Sequence, residues 1–503
     1  MRPSTKKNLK TAAIYSGILF LGLLLGQNFA DENIRNGLNP VLPLGFTEKT
    51  TKLQQVLHLI NDYYVDSLNI DTMQNVAIND LVSKLDPHSL YFAPERARRI
   101  NEDLEGNFDG IGVEYYTIND TLLVTGIFPG GPAEKGGIHI GDKLLRVDDQ
   151  LIAGVKINQK DVAAMVRGDQ GTKVRIWIKR DGMEINNPFI IVRDKIKVSS
   201  IEAAYVIDTA TAYVKIKRFG AQTAHDFNTA IGQLKKQGTN NLILDLRENG
   251  GGYLTAATEL ASQFLHDKQL IVYTLGAHHQ RTDYFSSATG QFTSGKLAVL
   301  IDGESASASE IVAGAIQDLK RGIVVGQPSF GKGLIQEQFE FGDGSALNLT
   351  VARYFTPSGR CIQRPYDSFY GNKYFANGGG IKPDIYIAED SLSHNDFYKK
   401  LLNQGIISDY VFENLVSEIP SFSSEHFIAH YKLPSNNYRR FLNFAQKRGI
   451  HVNNRTARLS KLLVESDMKA LMGKYFFGTP SFYKIKNRTD PNLIRTIQVL
   501  RTE

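Results

Sequence analysis

From residue 297 to residue 338 the chain reads LAVLIDGESASASEIVAGAIQDLKRGIVVGQPSFGKGLIQEQ. A serine, Lys332 and Gln336 in this stretch are residue types that together can carry out acyl transfer. A serine hydroxyl is a poor nucleophile until a base takes its proton, and a lysine serves as that base once desolvation lowers its pKa towards neutrality. Lys332 lies in Phe330-Gly331-Lys332-Gly333-Leu334, a turn between apolar flanks where an amine can be buried. Which serine would react is less plain. Ser305, Ser307 and Ser309 alternate with alanine, and Ser307-Ala308-Ser309-Glu310 fits a capping box, so the local pattern alone favours Ser307 as a helix cap. No histidine is comparably placed, because His278 and His279 sit in a polar segment with Gln280, Arg281 and Thr282. Asp86 and His88 flank Pro87, where capping and surface roles are expected, and both are left outside the site.

These residues need a scaffold. Apolar runs at 212–219, 242–246, 270–274, 297–301 and 323–325 alternate with helical patterns near 224–236, 253–264 and 308–320. That alternation predicts an α/β domain with a sheet buried beneath helices. A serine between the strand at 297–301 and the helix after it would stand where helix N–H groups face whatever it attacks. Residues 52–105 show helical periodicity, broken at Asp86-Pro87-His88-Ser89. Helical patterns return after about 389, at 397–402, 438–448 and 459–472, with many charges and no catalytic constellation. This tail is expected to be a docking or dimerising appendage, which leaves a homo-oligomer open.

The 503 residues exceed one ordinary domain, and 42% hydrophobic with 22% charged residues are globular values. A net charge of +6, without a dense basic run beyond the N-terminus, argues against a nucleic-acid partner. At the N-terminus Arg2, Lys6, Lys7 and Lys10 precede an apolar run at 12–26, the pattern of a bacterial export segment. Residues 1–30 are therefore expected to be a removed signal or a retained inner-membrane anchor, with the rest periplasmic or extracytoplasmic. The one cysteine, Cys361, cannot form an intramolecular disulfide. No metal-ligand spacing is visible, so no metal and no cofactor are expected.

Between 106 and 195 the texture changes to short β-like runs separated by Gly and Pro turns, with one short helix beginning near Asn158. The pieces Gly110-Ile111-Gly112-Val113, GPAEKGGIHIGDKLLRVDDQ from Gly131 to Gln150, and Gly171-Thr172 resemble a PDZ domain. The resemblance implies a module that adds an extended peptide to a sheet edge and holds its terminal carboxylate on loop N–H groups, here at Gly110, Ile111, Gly112 and Val113. The plainer alternative is that these glycines shape a hairpin.

A wider resemblance follows. Ser305 to Glu310, Phe330-Gly331-Lys332-Gly333 with Gln336, Asp245-Leu246-Arg247-Glu248-Asn249-Gly250-Gly251-Gly252, Tyr354-Phe355-Thr356-Pro357-Ser358-Gly359-Arg360 and Gly380-Ile381-Lys382-Pro383-Asp384 are similar to the carboxyl-terminal processing peptidases, or tail-specific proteases. The likeness runs over roughly residues 50 to 390. It implies Ser307 as nucleophile, Lys332 as general base and Gln336 as the glutamine that orients the lysine. It also implies an oxyanion hole from the N–H of Ala308 and one from the glycine run, for which Gly251 is chosen. Asp245 and Arg247 are expected to shape the turn. The fold so implied is a multidomain α+β chain: a signal or anchor (1–30), an N-terminal helical segment (45–105), a mainly-β PDZ domain (106–195), an α/β, crotonase-like peptidase core (196–388) and a helical extension (389–503). The function implied is an exported serine endopeptidase that recognises the C-terminal ends of protein or peptide substrates. The alternative is a catalytically idle PDZ scaffold that binds peptides. The chain departs from the family pattern at Cys361, where serine is more usual, and in its tail.

Overall fold

The apolar runs of the central region become neighbours in one sheet. In this computed structural model, which describes residues 51–287, 290–366, 379–388, 395–417 and 423–502, that sheet has six strands. Their order is Ile201–Val206, Thr211–Ile216, Asn241–Asp245, Leu297–Ile301, Ile323–Gly326 and Ile385–Tyr386. The first pair is antiparallel and the rest are parallel. Parallel strands are covered on both faces, which is why Leu297–Ile301 is buried at every residue and reads as an unbroken apolar run. On one face Phe227, Ile231, Leu260 and Ile311 of three helices, Thr223–Lys235, Leu254–Ser262 and Ala308–Asp318, pack against Val214, Leu244 and Val299. On the other, Tyr213, Ile243, Ala298 and Leu300 meet Leu493 and Leu500 of the helix Pro491–Thr502.

A second sheet runs Leu90–Phe92, Ala346–Phe355, Leu270–Leu275, Thr282–Phe285, and the strand Leu334–Glu340 also pairs with Ala346–Phe355. Neither strand of this last hairpin is among the apolar runs expected to form strands. Its residues are mostly half-buried or exposed, and neither strand forms the continuous apolar run that marks the buried sheet.

The PDZ-like region is a seven-stranded sheet, led by Val113–Ile118, Thr121–Ile127, Lys143–Val147 and Lys173–Arg180, with the helix Gln159–Val166 against it. Asn158 caps that helix, its side chain accepting the Lys160 N–H. The strands that lead in and out, Asn107–Gly110 and Asp194–Lys197, pair antiparallel, so the module is an insertion on a two-stranded stem.

The helical extension has its own core around Phe427, Phe441, Val464 and Met468. It docks within the chain. The Tyr116 hydroxyl of the PDZ-like sheet donates to Asp409 Oδ1 (3.0 Å) and Lys474 pairs with Glu114 (2.9 Å), while Asp490 pairs with Arg247 of the α/β body (2.7 Å). Two compact units divide at Ala77 and Ile78. The first holds the helix Lys52–Tyr63, opened by a capping box of Thr51 and Gln54. The expected signal or anchor, residues 1–30, lies outside the described residues.

Candidate active site

The turn after Leu297–Ile301 sorts the three serines. The Ser305 hydroxyl donates to the Leu246 carbonyl (2.8 Å) and that of Ser309 to the Asn249 carbonyl (2.8 Å), and both side chains are fully buried. They tie the serine turn to the glycine turn after Asn241–Asp245. Only Ser307 of the three lines a cleft of about 550 Å³, together with Ala308, Lys332, Gln336, Gly250 and Gly252.

Ser307 has φ 54° and ψ −110°. An ordinary N-cap is extended, and an L-residue at positive φ with this ψ is outside even the left-handed helical region, so the position is strained and must be held from outside. The Ser307 N–H donates to Glu310 Oε2 (2.8 Å), and its carbonyl accepts from the hydroxyl of fully buried Tyr354 (3.1 Å) and from the N–H groups of Glu310 (2.9 Å) and Ile311 (3.0 Å). The Ser307–Glu310 pairing anticipated for a capping box is present, at a backbone geometry that a simple cap does not need.

Glu310 does more than a cap requires. Its fully buried carboxylate also accepts from the Ser329 hydroxyl, the Gly331 N–H (2.7 Å) and the Lys332 N–H (2.9 Å). One side chain therefore joins the backbone of Ser307 to that of Lys332. Burial pushes the Glu310 carboxyl up, against the pull of these donors. For Lys332, burial pushes the ammonium below its ordinary value, against Asp86 and Glu310. Sequence reasoning gave Glu310 a capping role only and passed over Tyr354, although both lie inside runs it singled out.

The glycine turn presses against the serine from the other side. A Cβ on Gly251 would lie 2.9 Å from both the Ala306 carbonyl oxygen and Ser307 Cβ, and one on Gly252 2.1 Å from the Phe219 carbonyl oxygen. The Gly251 N–H, chosen above as an oxyanion donor, is engaged: it donates to Asn249 Oδ1 (2.9 Å), whose amide nitrogen in turn donates to the Ile216 carbonyl (2.9 Å). Gly251 thus stands against Ser307 with its donor turned to a neighbour, and of the glycine run it is Gly250 and Gly252 that line the cleft. Beneath the turn, Asp245 accepts from Arg247 (2.6 Å) and the Tyr213 hydroxyl (2.7 Å). Burial would raise the Asp245 carboxyl, but Arg247 and Lys215 hold it well below the usual carboxylate range.

Asp86 and His88 are not surface residues remote from this site. Asp86 is buried, and its Oδ1 accepts the N–H groups of His88 (2.8 Å) and Ser89 (2.7 Å), so the turn-capping half of the expectation describes it. The His88 ring meets Phe330 edge-on, with centroids 6.2 Å apart, and its pKa is lowered by burial and the Lys332 charge, against Asp86. The Gln336 amide nitrogen donates to Thr350 Oγ1 (3.2 Å).

Gly110, Ile111, Gly112 and Val113 lie apart from the cleft, at the head of Val113–Ile118. Gly110 bridges to Arg167 just after the helix Gln159–Val166. The carbonyls of Ile111 and Gly112 accept from Ala133 (2.8 Å) and Phe128 (3.1 Å), while Ile111 and Val113 pack with Val162 and Val166.

Comparison with known proteins agrees with this arrangement. Peptidase family S41 matches residues 210–387, a PDZ domain matches residues 123–180, and a family of unknown function matches residues 397–478. A carboxy-terminal-processing protease of Bartonella bacilliformis is 34% identical over 372 residues, 73% of this chain and 79% of its own length. A probable CtpA-like serine protease of Staphylococcus haemolyticus is 31% identical over 398 residues, 76% of this chain and 75% of its own. The carboxy-terminal processing protease CtpB of Bacillus subtilis is 31% identical over 316 residues, 62% of this chain and 65% of its own. The chain is a PDZ-containing serine protease of peptidase family S41 and belongs to the carboxy-terminal processing proteases.

Proposed function

We propose that Ser307 is the nucleophile and Lys332 the general base of a Ser-Lys endopeptidase that takes protein substrates by their C-terminal ends. The observation that carries this reading is the strained backbone of Ser307 in the lining of the cleft, since strain of this kind persists only where the surroundings enforce it. Neutral Lys332 takes the hydroxyl proton as Ser307 Oγ attacks the scissile carbonyl, and the resulting ammonium returns it to the leaving amine. Water then attacks the acyl-enzyme with Lys332 again as base. Gln336 orients the lysine. The Ala308 N–H stabilises the oxyanion, joined by Gly251 once its N–H turns from Asn249 or is shared with it.

The strand Leu334–Glu340, which contributes Leu334, Ile335 and Gln336 to the cleft, pairs on one side only among the described residues, so its other edge can receive an extended substrate. The loop Gly110 to Val113 holds the substrate's terminal carboxylate. Location outside the cytoplasm, with the N-terminal segment as signal or anchor, belongs to the same proposal and is tested by cell fractionation.

Purified Ser307→Ala and Lys332→Ala variants should each lose cleavage of an unfolded protein with an apolar C-terminus, by about 10²-fold to 10⁴-fold or more. Full activity in either overturns the mechanism. Since burial disfavours the charged amine, the rate should rise with pH through a limb lying below the ordinary lysine value of 10.5. A pH–rate profile without that limb counts against Lys332 as the base.

A further inference from the structure

The turn Asp86-Pro87-His88-Ser89, which the mechanism above does not use, stands directly behind Gln336. The strand Leu90–Phe92 that follows it pairs with Ala346–Phe355, setting Leu90 opposite Asn348. Ser89 is thereby brought to Thr350, whose N–H donates to Ser89 Oγ (3.1 Å). On the other side of Thr350, the register between Leu334–Glu340 and Ala346–Phe355 shifts between Ile335 and Gln336, leaving Gln336 opposite Thr350. A shift of this kind beside an active site re-aims a side chain.

Three side-chain contacts then run in series: Gln336 Nε2 to Thr350 Oγ1 (3.2 Å), Thr350 Oγ1 to Ser89 Oγ (3.3 Å) and Ser89 Oγ to Asp86 Oδ2 (2.6 Å). Hydrogen counting gives the series a direction. A carboxylate only accepts, so the single hydroxyl hydrogen of Ser89 points at Asp86. The hydrogen between Ser89 and Thr350 must then come from Thr350. With its own hydrogen committed, Thr350 Oγ1 can only accept from Gln336, and the amide must present its nitrogen. A flipped amide would require the Thr350 hydrogen for itself and leave two hydroxyl oxygens facing each other without one.

We propose that Asp86, Ser89 and Thr350 form a one-way donor chain that sets the sense of the Gln336 amide, holding its nitrogen inward and its carbonyl oxygen in the cleft lined by Lys332 and Ser307. The three are positioning residues. An amide fixed in this sense offers the amine of Lys332 an acceptor and never a competing donor. The inference rests on the reading of Gln336 as the residue that orients Lys332.

The experiment is a double-mutant cycle on the full chain, following cleavage of an unfolded protein with an apolar C-terminus, with thermal melts to confirm folding. Thr350→Val, which keeps the shape and removes the acceptor, should lower kcat about fivefold to tenfold with KM little changed. Thr350→Ser should restore it, and Ser89→Ala should lower kcat in the same direction, which provides a reading even if Thr350→Val does not fold. In a Gln336→Ala background, neither Thr350→Val nor Ser89→Ala should lower kcat further. Equal losses in both backgrounds, or no loss from Thr350→Val and Ser89→Ala while Gln336→Ala is impaired, overturn the donor chain alone. Full kcat in Gln336→Ala overturns the role of Gln336 itself, and the chain with it.

Discussion

Two glycine runs bracket the work of this chain, and they are held in different ways. At Gly251 and Gly252 the neighbours that exclude a side chain are backbone atoms and the Cβ next to one: the Phe219 carbonyl oxygen stands 2.1 Å from a Cβ on Gly252, and the Ala306 carbonyl oxygen, Ser307 Cβ and the Ala308 nitrogen crowd Gly251. At Gly112 the nearest atom to an added Cβ is the Cδ1 tip of Ile196, 3.0 Å away, and at Gly110 nothing comes within 3.4 Å. The first run is locked against main chain just beyond a sheet strand and at the serine turn, which cannot yield; the second faces chiefly side-chain tips that can. A turn that must support one strained serine needs the rigid arrangement, whereas a loop proposed to receive peptide ends of differing sequence tolerates the softer one.

Substitution can break this contrast. Gly252→Ala should have the largest effect, costing on the order of 3 kcal/mol or more and abolishing cleavage, because both its φ of 148° and the Phe219 carbonyl oppose a methyl group. A melting temperature close to that of the parent would show that the turn is not locked. Gly112→Ala should be milder. Its φ of 77° is strained for alanine by roughly 1–2 kcal/mol, but the Ile196 tip can move, so KM for substrates with apolar C-termini should rise while kcat holds. Gly110→Ala should be the smallest, with kcat/KM changed less than about twofold, since Gly110 has ordinary space and no positive φ. Should Gly110→Ala prove as damaging as Gly112→Ala, the loop is tighter than its contacts imply.

The legibility of the molecule follows the same physical divide. Leu297–Ile301 is readable to the residue because burial, turn chemistry and local propensity agree there. The helix Gln159–Val166 announced itself through Asn158. The hairpin of Leu334–Glu340 and Ala346–Phe355 escaped because its residues are only partly buried, leaving no clear apolar rhythm. Within the site, residue types alone single out a serine, Lys332 and Gln336, whereas the roles proposed for Ser307 and Gln336 come from the resemblance to a family, local sequence favouring Ser307 as a cap. Nothing in the spacing of the chain could tell that the Glu310 carboxylate bonds the backbone of Lys332, that Asn249 engages the Gly251 N–H, or that Asp86 lies behind Gln336. Each is a contact between segments whose separation along the chain carries no periodic signal.

The packing of Pro491–Thr502 over Tyr213, Ala298 and Leu300 sets a schedule for biosynthesis. Every strand it covers leaves the ribosome before the helix exists, so the growing chain carries one apolar face of its central sheet uncovered until that helix is made. Asp490, which pairs with Arg247 beneath the glycine turn, arrives equally late. The central sheet is thus made well before the helix that covers it, and neither that face nor the Arg247 pairing is complete until translation has passed residue 490.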